Sequence, residues 1–332
     1  MTREHLYLGI DAGATKTHAL IANGDGHVVG AGRAGTGNWE AVGLEGAYAA
    51  LSQALQEALS AAGVPVGRLR AAGYALAGVD FRSDLGRLEP VVERLGVPGP
   101  RIVVNDAEGA LRAGAPAGWG VAAIGGTGST VVGRNRRGEC FRTFGQGLAF
   151  GDVGGAGDIV YSALRAVARA HTGRGRPTAL TGFFCAHCGV PDTVTLVESI
   201  VRRQVPPPPV SLAPLIFQVA ERGDLVAQEV IREVGRELGW NVVAVARRLS
   251  MDQEPFDLVL AGGVFRAESH LFLDGVLEPV RQHTPLAQTA VLRTVPVVGG
   301  VLLAMECDGV EITRPAYERL AAEGAVSLAG RL

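Results

Sequence analysis

HLYLGIDAGATKTHALIANGDGHVVGA, residues 5–31, carries the pattern that decides the fold. An apolar strand enters a small-residue turn holding Asp11, Gly13 and Thr15, and a second strand begins at Thr17. Asn23-Gly24-Asp25-Gly26 closes that strand with a hairpin signal, and a third strand follows. Residues 119–144, WGVAAIGGTGSTVVGRNRRGECFRTF, repeat the layout. There an apolar strand meets a Gly-Thr turn running from Gly125 to Ser129, then a second strand, a polar turn and a third strand.

Each hairpin unit leads into alternating helix and strand. After the first, Leu44, Ala47, Tyr48, Leu51, Leu55, Ala58 and Leu59 recur at helical spacing. A strand near 70–76, a helix near 84–95 and a strand at 101–105 follow. After the second come several helices, a strand at 257–261, a helix near 269–282, a strand at 289–294 and a helix near 298–307. The pattern predicts an α/β protein of two similar lobes, 1–115 and 116–312, facing each other. A terminal helix over 313–332 starts near Pro315. The turn cluster Gly114–Gly118 marks the boundary, and Pro206–Pro209 reads as an extended connector between helices.

A length of 332 residues exceeds one ordinary domain, and 47% hydrophobic with 19% charged residues describes a well-buried chain. A net charge of −2 gives no footprint for a nucleic acid or a membrane surface. No apolar run reaches the roughly 18 residues of a membrane span, and residues 1–22 lack a secretory apolar core. The expected location is the cytoplasm. Four scattered cysteines, Cys140, Cys185, Cys188 and Cys307, do not make a disulfide scaffold. The single lysine, Lys16, falls inside the first turn.

Glycine lets backbone N–H groups approach an anion closely, and threonine adds a hydroxyl donor. One such turn alone reads as an ordinary tight turn; two, one per lobe, can clasp a triphosphate. No GxxxxGK[ST] occurs, and the GxGxxG at Gly30, Gly32 and Gly35 leads into TGNWEAV and not directly into a helix. Asp11, at a strand tip, suits Mg²⁺ held through water, since that cation takes one or two carboxylates with waters and phosphates. Asp106 ends the strand RIVVN and opens a helix. It can cap that helix, or it can act as general base on an attacking hydroxyl; spacing leaves both open.

GIDAGATKT (9–17), IGGTGS (124–129), VNDAEGAL (104–111) and LAGGVF (260–265) resemble the phosphate-1, phosphate-2, connecting and adenosine motifs of the actin, hexokinase and chaperone ATPase superfamily. TGNWEAVG (36–43), FGQGLAFGDVGGAGDI (144–159) and VAERGDLVAQ (219–228) add a resemblance to the N-acetylglucosamine kinases and related activator ATPases. The resemblance implies two actin-like, ribonuclease-H-like lobes with a nucleotide and sugar cleft between them. It implies ATP with Mg²⁺ at Asp11, Gly13, Thr15, Lys16, Gly126, Thr127 and Gly128. Gly262 and Gly263 would flank adenine and ribose, and Ala220 would line the same pocket from a helix. An amino sugar, most simply N-acetylglucosamine, would meet Asn38, Gly145, Gln146, Gly147 and Asp152, with Asp106 on its 6-hydroxyl as base. A homodimer is also implied. Gln146 stands where animal members of the family carry tryptophan, and Val153 where an acidic residue is common. Glucosamine and N-acetylmuramic acid kinases are therefore alternatives within the branch. From a different class, the iron–sulfur ATPase activators share the ATP motifs, and Cys185-x-x-Cys188 is the feature that points to them.

Overall fold

The computed structural model describes residues 5–266 and 269–329; residues 1–4 and 330–332, at the ends of the expected first lobe and terminal helix, lie outside them. Strand β1 (Leu6–Ala12) is buried along nearly its whole length, which is why its sequence reads as a continuous apolar run and not an alternation. It occupies the centre of a five-stranded sheet. Strands β2 (Thr17–Asn23) and β3 (Val28–Ala34) extend one side antiparallel, while β4 (Leu69–Leu76) and β5 (Arg101–Asn105) extend the other side parallel.

The second sheet reproduces this plan. Strands β6 (Gly120–Gly125), β7 (Ser129–Arg134) and β8 (Cys140–Arg142) form the antiparallel side, and β9 (Asp257–Ala261) and β10 (Gln288–Val291) the parallel side. The strand orders, β3-β2-β1-β4-β5 and β8-β7-β6-β9-β10, are the same path traced twice. The chain is an α/β fold of two lobes, each a mixed sheet flanked by helices.

Helices α1 (Trp39–Ala62) and α2 (Arg82–Glu93) connect strands of the first sheet, and α3 (Asp106–Gly114) leads from β5 to β6 of the second sheet. Between β8 and β9 run α4 (Ala156–His171), α5 (Leu180–Cys188), α6 (Thr193–Val201), α7 (Ala213–Glu221) and α8 (Leu225–Arg248). Helix α9 (His270–His283) follows β9 and packs along α8. Together they bury the larger apolar core, with Phe184, Ile216, Leu238 and Phe272 at its centre.

Helix α10 (Val297–Cys307) lies within the expected second segment, 116–312, yet packs on the first sheet. The reason is steric. A Cβ on Gly73 would stand 2.1 Å from the Gly300 carbonyl oxygen, and one on Gly9 would stand 2.4 Å from the Val301 nitrogen. Facing glycines bring helix and strands into backbone contact, and α10 buries every residue from Val297 to Met305 there. Helix α11 (Arg314–Ala329) joins the same lobe: Glu323 accepts from the Val28 N–H at 2.9 Å, and Arg319 donates to the Asp25 carbonyl at 2.7 Å. Strand β10 stops at Val291, short of the expected 294, because the chain turns there toward Pro296 and the start of α10.

Candidate functional site

The carboxyl ends of the parallel strands point into one cleft, the usual place for a ligand in an α/β sheet. The segments that follow β1, β4, β5, β6 and β9 all line it, supplying Thr15, Asp80, Asp106, Thr127 and Gly263. The main chamber has a volume of about 790 Å³, and a smaller one of about 200 Å³ adjoins it. Thr15, Asp106, Ala107 and Ile124 border both chambers. Asn38, Gly126, Thr127, Gly128 and Gly145 line the larger; Asp11, Gly13, Lys16 and Gly262 line the smaller.

The turn of the first hairpin closes on itself, Gly13 N–H donating to the Lys16 carbonyl at 2.9 Å. Thr36 Oγ1 steadies it by donating to the Gly13 carbonyl at 3.1 Å. Ala14, Thr15 and Lys16 are exposed at the tip. The turn of the second hairpin is anchored differently. Gly126 and Thr127 use their carbonyls to accept from the Ala156 and Gly157 N–H groups at the start of α4, at 2.9 and 3.0 Å. Ser129 then lines the cleft with a buried hydroxyl that has no hydrogen-bond partner among the described residues. Opposite, Gly262 has φ of +102° and would drive a Cβ to 2.3 Å from the Gly125 carbonyl oxygen, so glycine is required for the two turns to meet.

Asp106 opens α3. Its Oδ1 accepts from the Ala107 N–H at 3.0 Å, but Asn105, not Asp106, is the residue that caps the helix: its Oδ1 takes the same N–H at 3.0 Å. The carboxyl of Asp106 is pushed up to about 6, first by burial and then by the neighbouring Asp80 carboxylate, with Arg142 pulling the other way. Asp11 is pushed up to about 7 by burial and by Asp106, against the pull of Lys16. Two carboxylates facing one exposed ammonium leave excess negative charge, which a divalent cation relieves. The donor chemistry around Asp11 therefore fits Mg²⁺.

Asp80 and Arg142 have no place in the motifs of the sequence, yet they pair at 3.2 Å inside the cleft, both largely buried. Asp80 follows the end of a parallel strand, and that topological position is the signal by which it could have been found. Arg142 carries no comparable signal. The expected sugar contacts divide. Asn38 and Gly145 line the cleft, whereas Asp152 is buried beneath the loop, accepting from the Gln146 N–H at 3.0 Å. The Gln146 side chain reaches Asp80, and the Gly147 carbonyl accepts from Asp152 N–H. Ala220 is fully buried in the second core, and it is Ala213, Pro214 and Phe217 of the same helix that face the cleft. A period of 3.6 residues puts Phe217, nearly one turn before Ala220, nearer the opening. Cys185 and Cys188 pack in the second core as free thiols.

A cleft with one glycine-rich turn from each of two matching lobes defines the class: a two-lobed ATPase. Residues 8–304 match the BadF/BadG/BcrA/BcrD ATPase family, and the chain belongs to that family. It is 31% identical over 303 residues to the N-acetylmuramic acid/N-acetylglucosamine kinase of Clostridium acetobutylicum, covering 91% of this chain and 99% of that relative. To the N-acetyl-D-glucosamine kinase of Dictyostelium discoideum it is 27% identical, covering 92% and 99%. A solved structure provisionally named as an N-acetylglucosamine kinase, from Chromobacterium violaceum, superposes with a TM-score of 0.67 at 23% identity, covering 90% and 98%. The chain is thus an enzyme similar to sugar kinases in sequence and to this structure in fold. Among the described residues no helix is long and apolar enough to cross a membrane.

Proposed function

We propose that the protein transfers the γ-phosphoryl group of ATP to the 6-hydroxyl of an amino sugar, with N-acetylglucosamine first among the candidates. The observation that carries this reading is the place of Asp106, on the border shared by the two chambers. ATP lies with its phosphates between the turns bearing Thr15 and Thr127, its adenosine toward Gly262 and Gly263. The sugar lies toward Asn38, Gly145 and Gln146, over the loop that Asp152 supports from beneath. Asp11 would hold Mg²⁺, which would supply charge neutralisation on the phosphates.

The Asp106 carboxylate accepts the proton of the 6-hydroxyl as the sugar oxygen attacks the γ-phosphorus. A new P–O bond forms to the sugar, the bond from phosphorus to the bridging oxygen breaks, and ADP leaves with that electron pair. A carboxyl held near 6 is mostly ionised at neutral pH and still basic enough to take a proton in the transition state. A lobe division near residue 115, with α10 and the terminal segment 313–332 returned from the second segment to the first lobe, the cytoplasmic location and a homodimer belong to the same proposal. The activities for which the two relatives are named support the amino-sugar part of it.

Asp106→Asn tests the reading. Turnover with N-acetylglucosamine should fall by about 10³-fold, within the usual range for loss of a general base, while sugar binding changes little. Near-normal turnover would remove Asp106 from the chemistry. A panel of N-acetylglucosamine, glucosamine, N-acetylmuramic acid and glucose, with phosphorus–proton coupling on the product, tests the sugar and the position phosphorylated.

A further inference from the structure

One carboxylate in the cleft is bonded to both lobes. Asp80 Oδ1 accepts from Asn105 Nδ2 at 3.1 Å on its own lobe and pairs with Arg142 Nη1 at 3.2 Å across the cleft. Its Oδ2 accepts from Gln146 Nε2 at 2.8 Å, and its backbone carbonyl accepts from Arg142 Nη2 at 2.7 Å. Asp80 and Arg142 are 13% and 14% exposed, so solvent screens this pair far less than an ion pair on the surface.

The bonds continue to the base on one side and to the sugar loop on the other. Asn105, held by Asp80, donates a second bond to the Val79 carbonyl and caps α3 at the Ala107 N–H, next to Asp106. Arg142 Nη1 also donates to the Phe144 carbonyl at 3.1 Å, and the Gln146 N–H donates to Asp152. Asp84 fixes the turn that presents Asp80, accepting from the Asp80 and Phe81 N–H groups at 3.1 and 2.7 Å. Three of the four bonds that Asp80 accepts come from the opposite lobe.

We propose that Asp80 is a positioning residue that couples Asp106 to the joining of the lobes, by holding the Asn105 cap against Arg142 and Gln146. The proposal rests on the reading of Asp106 as base. When the lobes part here, Asn105 loses a fixed acceptor and the turn carrying Asp106 loses its register with the loop at Gly145–Asp152. A misplacement of this kind lowers the chemical step and leaves nucleotide affinity in place. It also gives the Gln146 amide a role: its side chain bonds Asp80 while its backbone N–H is held by Asp152.

The experiment measures kcat and both KM values, with ATP and N-acetylglucosamine, for Asp80→Asn, Arg142→Met, the double variant and Arg142→Lys. Thermal midpoints accompany the kinetics. Asp80→Asn should lower kcat about 30-fold, and Arg142→Met about tenfold, with KM for ATP within about twofold. The double variant should be no slower than Asp80→Asn alone, because both substitutions break one connection. Arg142→Lys, which keeps the charge but not the two-nitrogen fork, should recover only part of the loss. Multiplying losses in the double variant, or a loss confined to KM for ATP, overturns the coupling. Should the buried variants melt early, Gln146→Ala in the exposed loop serves: a kcat several-fold lower at an unchanged midpoint supports the proposal, and a wild-type kcat contradicts it. An active Asp106→Asn would defeat the base reading itself. An inactive Asp106→Asn beside multiplying Asp80 and Arg142 effects would defeat the coupling alone.

Discussion

The two Gly-Thr hairpins share a topology and differ in what they offer a ligand. The first presents Asp11 and Lys16 around an exposed tip whose bonds stay within its own lobe's loops. The second carries no charge from Gly125 to Ser129; its tip is tied by backbone to α4, and it places in the cleft the buried Ser129 hydroxyl, which has no partner among the described residues. Repetition of a fold thus supplied two matching turns, and divergence put the charged groups on one of them. On this view the first lobe handles metal and proton, and the second supplies neutral donors fixed in place, which cost little reorganisation when phosphate binds.

The largest effect that separates the hairpins is expected at Asp11. Asp11→Asn should lower kcat about 100-fold and raise the Mg²⁺ concentration needed for half-maximal rate. If the variant works normally at wild-type Mg²⁺, the hairpins are not divided as described. A smaller and different effect is expected from Thr127→Val: KM for ATP about tenfold higher, KM for the sugar within about twofold. The reverse pattern would take Thr127 out of the nucleotide site.

The smallest effect concerns stability. Asp11 and Asp106 hold their protons more tightly in the folded chain than in the unfolded one, so the folded state binds more protons between about pH 4 and their folded values near 7 and 6. Stability therefore falls as pH rises through that window. Replacing Asp106 by Asn removes a buried charge, and urea unfolding at pH 8 should find the variant more stable by on the order of 1–2 kcal/mol. At pH 4 the gain should vanish. A variant that is equally stabilised at both pH values would show that charge burial is not the cause.

Much of the fold was legible because hydrophobic pattern and turn chemistry are local. The strands at 101–105 and 257–261 fall where the sequence predicts them, and the Asn23–Gly26 turn closes its hairpin. The attachment of α10 to the first sheet was not legible, since it depends on Gly9 and Gly73 meeting Gly300 and Val301 across about 230 to 290 residues. For the site, the residues on turns after strands assembled as expected: Thr15, Asp106, Thr127 and Gly263 share one cleft. Asp80 with Arg142 escaped notice because their pairing is made by the docking of one lobe on the other. Ala220 and Asp152 show the converse: each has the right chain position, but packing turns its side chain away from the opening.

The central claim is that Asp106, held near 6 by burial and by Asp80, takes the proton of the acceptor hydroxyl. The pH dependence of kcat/KM for N-acetylglucosamine, at saturating Mg-ATP, reads that ionisation directly. The account predicts an acid limb with its midpoint near pH 6, the rate rising as the carboxyl ionises. A profile that stays flat down to about pH 4, the range of an ordinary aspartate, would contradict it.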